Sequence, residues 1–113
     1  MLLRPFKEKI AFKVARLRET PYCTGSHRGY ALKQGVPVAE LDAIDRGDYT
    51  GLPAKERASL LFTEAMVAGR MTDASFAALR EHFNEAEAVE IVALIGIMEL
   101  ACSFAQVFDL AVD

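Results

Sequence analysis

The stretch NEAEAVEIVALIGIMELACSFA, residues 84–105, decides the fold class. Asn84 followed by Glu87 is a capping box, which marks a helix start. From Ala88 to Ala105 the residues are apolar nearly all round, the pattern of a central helix enclosed by neighbouring helices or by a partner subunit. Working back towards the N-terminus, Thr72 suits the N-cap of a fifth helix with Phe76, Leu79 and Phe83 on its buried side. Pro53 suits the first position of a fourth, whose apolar stripe is Ala58, Leu61, Phe62, Ala65 and Met66 and which Gly69 ends. Residues Arg46 to Leu52 read as a turn. A short third helix covers Val38 to Asp45, a second runs from Pro21 to near Gly35, and a first from about Pro5 to Glu19. Strand-like alternation is scarce. The expectation is a compact all-α, six-helix fold in which residues 1–113 form a single domain.

Composition sets the outer limits. Hydrophobic residues make up 52% of the chain and charged ones 26%, a globular balance that excludes intrinsic disorder. Against 16 acidic residues there are 13 Lys and Arg, a net charge of −3, with no basic cluster dense enough for a run of phosphates, so nucleic acid is not an expected partner. Met1 to Arg4 lacks the apolar core of a secretory leader. The longest uncharged apolar run, Ile91 to Met98, is far short of the ~18 residues that span a bilayer, so no membrane partner is expected. The reading is cytoplasmic, with both cysteines kept as thiols.

Apolar residues fall on two faces of the first helix: Phe6, Ile10, Val14 and Leu17 on one, Ala11, Phe12 and Ala15 on the other. That helix is expected to be sandwiched, with Lys9, Lys13 and Arg16 on a polar strip between the faces. Glu8 projects beside Phe12 and Ala15, and on position alone it reads as a surface carboxylate in the first turn, where it favours the helix dipole. The chemically loaded spot is the start of the second helix. Thr20 can cap it, Pro21 takes its first position and Cys23 its third, which puts the sulfur near the positive end of the helix. A thiol there, or beside a protonated His, is expected to have a lowered pKa and hence more of the reactive thiolate. His27, one turn on, shares a face with Cys23 and can serve as its base. As a bare pair the two fit equally a core thiol and a hydrogen-bonded imidazole. A zinc site is not expected, because two cysteines and two histidines would have to supply all four ligands and His82 and Cys102 are far off in sequence. His82 itself reads as a surface residue.

Taken together, Glu8, eleven residues, Thr20, two residues, Cys23, three residues and His27 resemble the Glu-x11-Cys-x2-Cys-x3-His signature of the alkylhydroperoxidase D-like branch of the carboxymuconolactone decarboxylase family, with Thr20 in place of the first cysteine. The stretches ARLRETPYCTGSHRGYALKQGV and ERASLLFTEAMVAGRMTDASFAALREHFNEAEAVEIVALIGIMELACSFAQ are similar to that family in order and spacing, so that the resemblance runs from about Leu3 to Leu110. It implies that Cys23 matches the second cysteine of the pair, His27 the relay histidine and Glu8 the relay glutamate, while Tyr22 falls where some members have another histidine. It also implies trimers or hexamers with the site near subunit contacts. Thr20 cannot form a disulfide with Cys23, so an oxidised Cys23 would stop at sulfenic acid until another thiol, external or Cys102, resolved it. Glu99, three residues before Cys102 on the same helix face, is either a buried carboxylate of the site or a helix-edge Glu paired with Arg16 or Arg28.

Three readings follow. The first is a thiol-dependent peroxidase of peroxiredoxin type, an antioxidant oxidoreductase with Cys23 as nucleophile, His27 as base and Glu8 holding the histidine, supported by Thr20, Tyr22, Glu99 and Cys102 and served by an external thiol reductant. The second is a carboxymuconolactone decarboxylase-like lyase in which His27 and Glu8 move protons and Cys23 is incidental. The third is a non-catalytic helical assembly. Apolar residues on two faces of the first helix and all round the sixth exceed what 113 residues bury alone, so a homo-oligomer is expected. No phosphate loop or haem motif is present, and no cofactor is expected.

Overall fold

A computed structural model describes residues 2–110; Met1, where the stretch read for a leader begins, and the last three residues of the expected domain lie outside the described residues. It contains six helices and, among the described residues, no strand: α1 (Arg4–Leu17), α2 (Pro21–Lys33), α3 (Val38–Asp45), α4 (Ala54–Val67), α5 (Asp73–Arg80) and α6 (Glu85–Val107). Their ends follow local chemistry. Asn84 Oδ1 accepts the Glu87 N–H at 2.8 Å while Glu87 Oε1 accepts the Asn84 N–H at 3.0 Å, so both partners of the capping box are engaged. Thr72 Oγ1 accepts the Ser75 N–H at 3.1 Å and starts α5. Pro53 stands one position earlier than expected, as the extended residue before Ala54, where its missing N–H also costs nothing. Gly35 and Gly69 close α2 and α4 at φ +90° and +71°, a conformation that side chains with a Cβ resist.

Helix α1 is the common wall of the fold, packed on α2, α3, α4 and α6. Ile10, Ala11, Val14 and Ala15 belong to one core cluster with Phe62, Leu79, Phe83, Ile91 and Ile95, whereas Phe12 joins Leu41, Ile44, Tyr49 and Leu60 in a second. The sandwich is more complete than the two-face reading implied, and the strip between the faces does not stay in water. Lys13 is buried, donating from Nζ to the Ile44 carbonyl at 2.9 Å and lying 5.4 Å from the centre of the Tyr49 ring. Tyr49 donates its hydroxyl to the Glu64 carboxylate, which also lies 3.9 Å from Lys13. Burial lowers the Lys13 pKa, with Glu64 and Asp45 acting the other way. Lys9 joins Glu40 of α3 and Glu56 of α4.

Three other expectations need correction. In α4 the buried residues are Ser59, Leu60, Phe62 and Thr63, and Leu61 is 56% exposed. Ser59 and Thr63 satisfy their hydroxyls within the helix, on the carbonyls of Glu56 and Ser59, so polar side chains occupy core positions that the apolar pattern passed over. Phe76 is largely exposed, because α5 is short and only its C-terminal end, at Leu79 and then Phe83, reaches the core. Finally, the other helices of this chain do not by themselves enclose α6. Ile91, Ile95, Met98, Cys102 and Ala105 are buried, but Val89, Ile97, Leu100, Phe104 and Val107 form an exposed apolar stripe along its other side. Glu85–Val107 is long and apolar enough, by length and composition alone, to cross a bilayer, which its uncharged core run did not suggest. The composition of a core helix meets the same test, and here the face that carries Ile91 and Ile95 packs into the protein.

The radius of gyration, 13.4 Å, is that of a folded domain of this length. The register of α4 can be checked directly. Leu60→Ala should cost about 2–5 kcal/mol in denaturant unfolding, whereas Leu61→Ala should stay within about 0.5 kcal/mol of the parent. Equal costs would contradict this packing.

Candidate functional site

The site forms where the α1–α2 corner meets the last turns of α6. The corner turns through Glu19 at φ +49°, with the Glu19 and Thr20 amides donating to the carbonyls of Arg16 and Ala15. Thr20 occupies the N-cap position of α2, but its side chain does not cap the helix. Its hydroxyl instead donates to the Arg18 carbonyl at 3.1 Å and accepts from Gln106 Nε2 at 2.9 Å. Gln106 Nε2 also donates to the Arg18 carbonyl at 2.8 Å, and Arg18 Nη2 donates to Ser103 Oγ at 3.0 Å. Arg18, Ser103 and Gln106, with Thr20, thus bolt the α1–α2 corner to α6. Sequence reasoning missed all three, since each lies at an ordinary surface position whose partner is distant in the chain.

The clamp leaves a mainly apolar cleft of about 470 Å³ between the helices, with Cys23, His27 and Tyr30 on one wall and Ile97, Leu100 and Phe104 on the other. Tyr22 lies at its edge, about two-fifths exposed. His27 Nδ1 is 2.8 Å from Glu8 Oε2, and its ring meets Tyr30 edge-on at 5.3 Å. Tyr30 was also missed, although its helical spacing from His27 could have revealed it. Glu8 is not the surface residue that its position suggested. It is 6% exposed, and its second oxygen accepts Arg4 Nε at 3.2 Å. The physical reason is the burial of α1 on several sides: a carboxylate carried inward requires partners, and His27 and Arg4 supply them. With Nδ1 engaged by Glu8, Nε2 is the imidazole nitrogen left for chemistry.

Cys23 is 6% exposed, and both cysteines are free thiols. Its pKa runs opposite to the expectation: burial first, and then the adjacent Cys102 thiol, push it up to about 11. The helix end and His27 do not offset that, because the sulfur turns into the core towards Cys102, which is wholly buried. Glu99 fits neither earlier reading. It is half-buried, Arg16 pairs with Asp45 and Arg28 with Asp42, and what Glu99 contributes to the corner is its backbone carbonyl, which accepts Arg18 Nη1 at 3.4 Å. His82 is exposed, in the turn that follows α5 rather than on the helix itself. Among the described residues no three His, Cys, Asp or Glu side chains are grouped as metal ligands. A separate groove of about 370 Å³ beside Leu2, Phe6 and Phe83 carries Lys9, Lys55 and Glu56, and among the described residues no cysteine, serine or histidine lines it.

No family model matches this chain, and no curated protein matches it either.

The elevated thiol makes a measurable claim. Alkylation of Cys23 by a small haloacetamide should be slow at neutral pH and rise with pH towards an inflection near 11. A raised folded-state pKa also means that this thiol's contribution to stability, full below the unfolded-state value, is lost as pH climbs from about 9 to 11. An inflection at or below neutral pH would contradict the packing against Cys102.

Proposed function

We propose that the chain is a thiol-dependent peroxidase that reduces a small hydroperoxide in the α2–α6 cleft. Cys23 is the nucleophile, His27 its base and Glu8 the residue that positions the histidine. The observation that carries this reading is the 2.8 Å contact between the buried Glu8 and His27, one turn from Cys23 on the wall of the same cleft. A thiol at pKa about 11 is almost wholly protonated at neutral pH, so the proton must leave during the reaction rather than before it. His27 Nε2 takes it as the sulfur attacks the outer peroxide oxygen; the O–O bond breaks, and the proton returns to the departing alkoxide. The products are an alcohol and a sulfenic acid on Cys23, which a second thiol then resolves. A reducing, cytoplasmic setting suits such a cycle.

The same high thiol pKa favours a second reading, a lyase resembling the decarboxylase branch, in which His27 and Glu8 transfer protons on a small carboxylated lactone without the sulfur. Hydroperoxide consumption with dithiothreitol as reductant separates the two. On the first reading Cys23→Ser abolishes turnover, and His27→Ala lowers kcat/KM by about 10²- to 10⁴-fold. Glu8→Gln should alter the pH profile of turnover. Peroxide turnover that is absent, or indifferent to Cys23→Ser, would remove the peroxidase reading. Turnover of a muconolactone-type substrate that survives Cys23→Ser would establish the lyase.

The assembly proposed is a homo-oligomer, a trimer or hexamer, joined through the exposed stripe of α6. In support, Leu100 is 68% exposed, and Ile97, Leu100 and Phe104 belong both to that stripe and to the cleft, so a second copy seated there would wall the site. Light scattering at micromolar concentration should give a multiple of the monomer mass that Leu100→Glu reduces. A monomeric parent would contradict it.

A further inference from the structure

Cys23 and Cys102 come from opposite ends of the sequence, yet both are buried in one core cluster where α2 packs on α6, close enough for the Cys102 thiol to bear on the Cys23 pKa. Their surroundings differ in one respect. Cys23 borders the cleft beside Ala101 and Ala105, whereas Cys102 lies behind that wall with no exposure at all. The Arg18–Ser103 and Thr20–Gln106 hydrogen bonds hold the two helices in this register. Among the described residues α2 holds no second sulfur, and α6 presents one to Cys23 from behind the cleft wall.

We propose that Cys23 and Cys102 form a two-electron dithiol–disulfide couple, oxidised at Cys23 and reduced through the cleft by an external dithiol. The oxidant rests on the peroxidase reading above; the couple itself does not. The hydroperoxide oxidises Cys23 to the sulfenic acid and leaves as the alcohol. The Cys102 sulfur then attacks the Cys23 sulfur, the S–O bond breaks, and the hydroxyl departs as water with the Cys102 proton. In sum, one hydroperoxide and two thiols give one disulfide, one alcohol and one water. On the return, a thiolate of the external dithiol reaches the only sulfur that borders the cleft, Cys23, and expels Cys102. Its second thiol resolves the mixed disulfide, restoring both cysteines and leaving the reductant as a cyclic disulfide. Because the bridge ties α2 to α6 across most of the chain, the oxidised protein should also melt at a higher temperature than the reduced one.

The test uses the full chain, reduced and freed of reductant, treated in parallel with one equivalent of cumene hydroperoxide and with diamide, then digested without reduction for mass spectrometry. The expected result in both arms is an internal Cys23–Cys102 peptide that dithiothreitol reverses, on a chain that shows no intermolecular disulfide. Cys102→Ala should lose that peptide and give a dimedone adduct at Cys23 with peroxide. An internal bridge with diamide but none with peroxide supports the couple and overturns the peroxidase reading. A dimedone adduct at Cys23 of the parent as abundant as in Cys102→Ala, with no internal bridge from diamide, overturns the couple and leaves the peroxidase reading standing. Both parent arms are independent of how the variant folds.

Discussion

Taking the middle of α1 out of water leaves Glu8, Lys9 and Lys13 with little or no solvent, and the molecule is arranged around giving them partners. Glu8 meets His27 and Arg4; Lys13 meets the Ile44 carbonyl, Glu64 and the Tyr49 ring; Lys9 meets Glu40 and Glu56. Among the described residues no buried side-chain nitrogen or oxygen lacks a partner. An unmatched buried polar group costs more than a matched one contributes, so these contacts constrain which neighbours can approach α1, and at what register. The Glu8–His27 pair belongs to this set: the demand that satisfies a buried carboxylate also orients an imidazole on the wall of a cleft.

That origin explains why the two halves of the candidate site have different characters. The imidazole–carboxylate half is polar, paired and oriented, with one ring nitrogen of His27 held by Glu8. The sulfur half is the reverse. Cys23 turns into the core beside Cys102, where burial favours the neutral thiol over a standing thiolate. The clamp made by Arg18, Ser103, Thr20 and Gln106 fixes where the start of α2 lies against α6, and so which residues of α6 face Cys23.

Helix α6 carries two apolar faces for different purposes. One completes the core against α1 and α4, and the other remains on the surface and continues into the cleft. Its composition therefore looks enclosed when read as a string and half-enclosed when folded. Hydrophobicity specifies how much surface prefers to leave water; it does not specify which part a single chain can cover.

The sequence by itself determined the six helices and most of their ends, because caps, prolines and terminal glycines act within a few residues: Asn84 with Glu87, Thr72, Gly35 and Gly69 are all local signals. It also placed Cys23 and His27 one turn apart, a consequence of helical pitch alone, whereas Glu8 read by its position as a surface carboxylate and was marked only by the family resemblance. Only the tertiary structure decided what those residues face. The inward turn of Glu8, the burial of Lys13, the exposure of Leu61 and Phe76, the meeting of Cys23 with Cys102 and the clamp at Gln106 all depend on partners tens of residues away. Periodicity reports which side chains share a face of a helix, but burial and pKa depend on what packs against that face, and that is settled by the joint packing of six helices around α1.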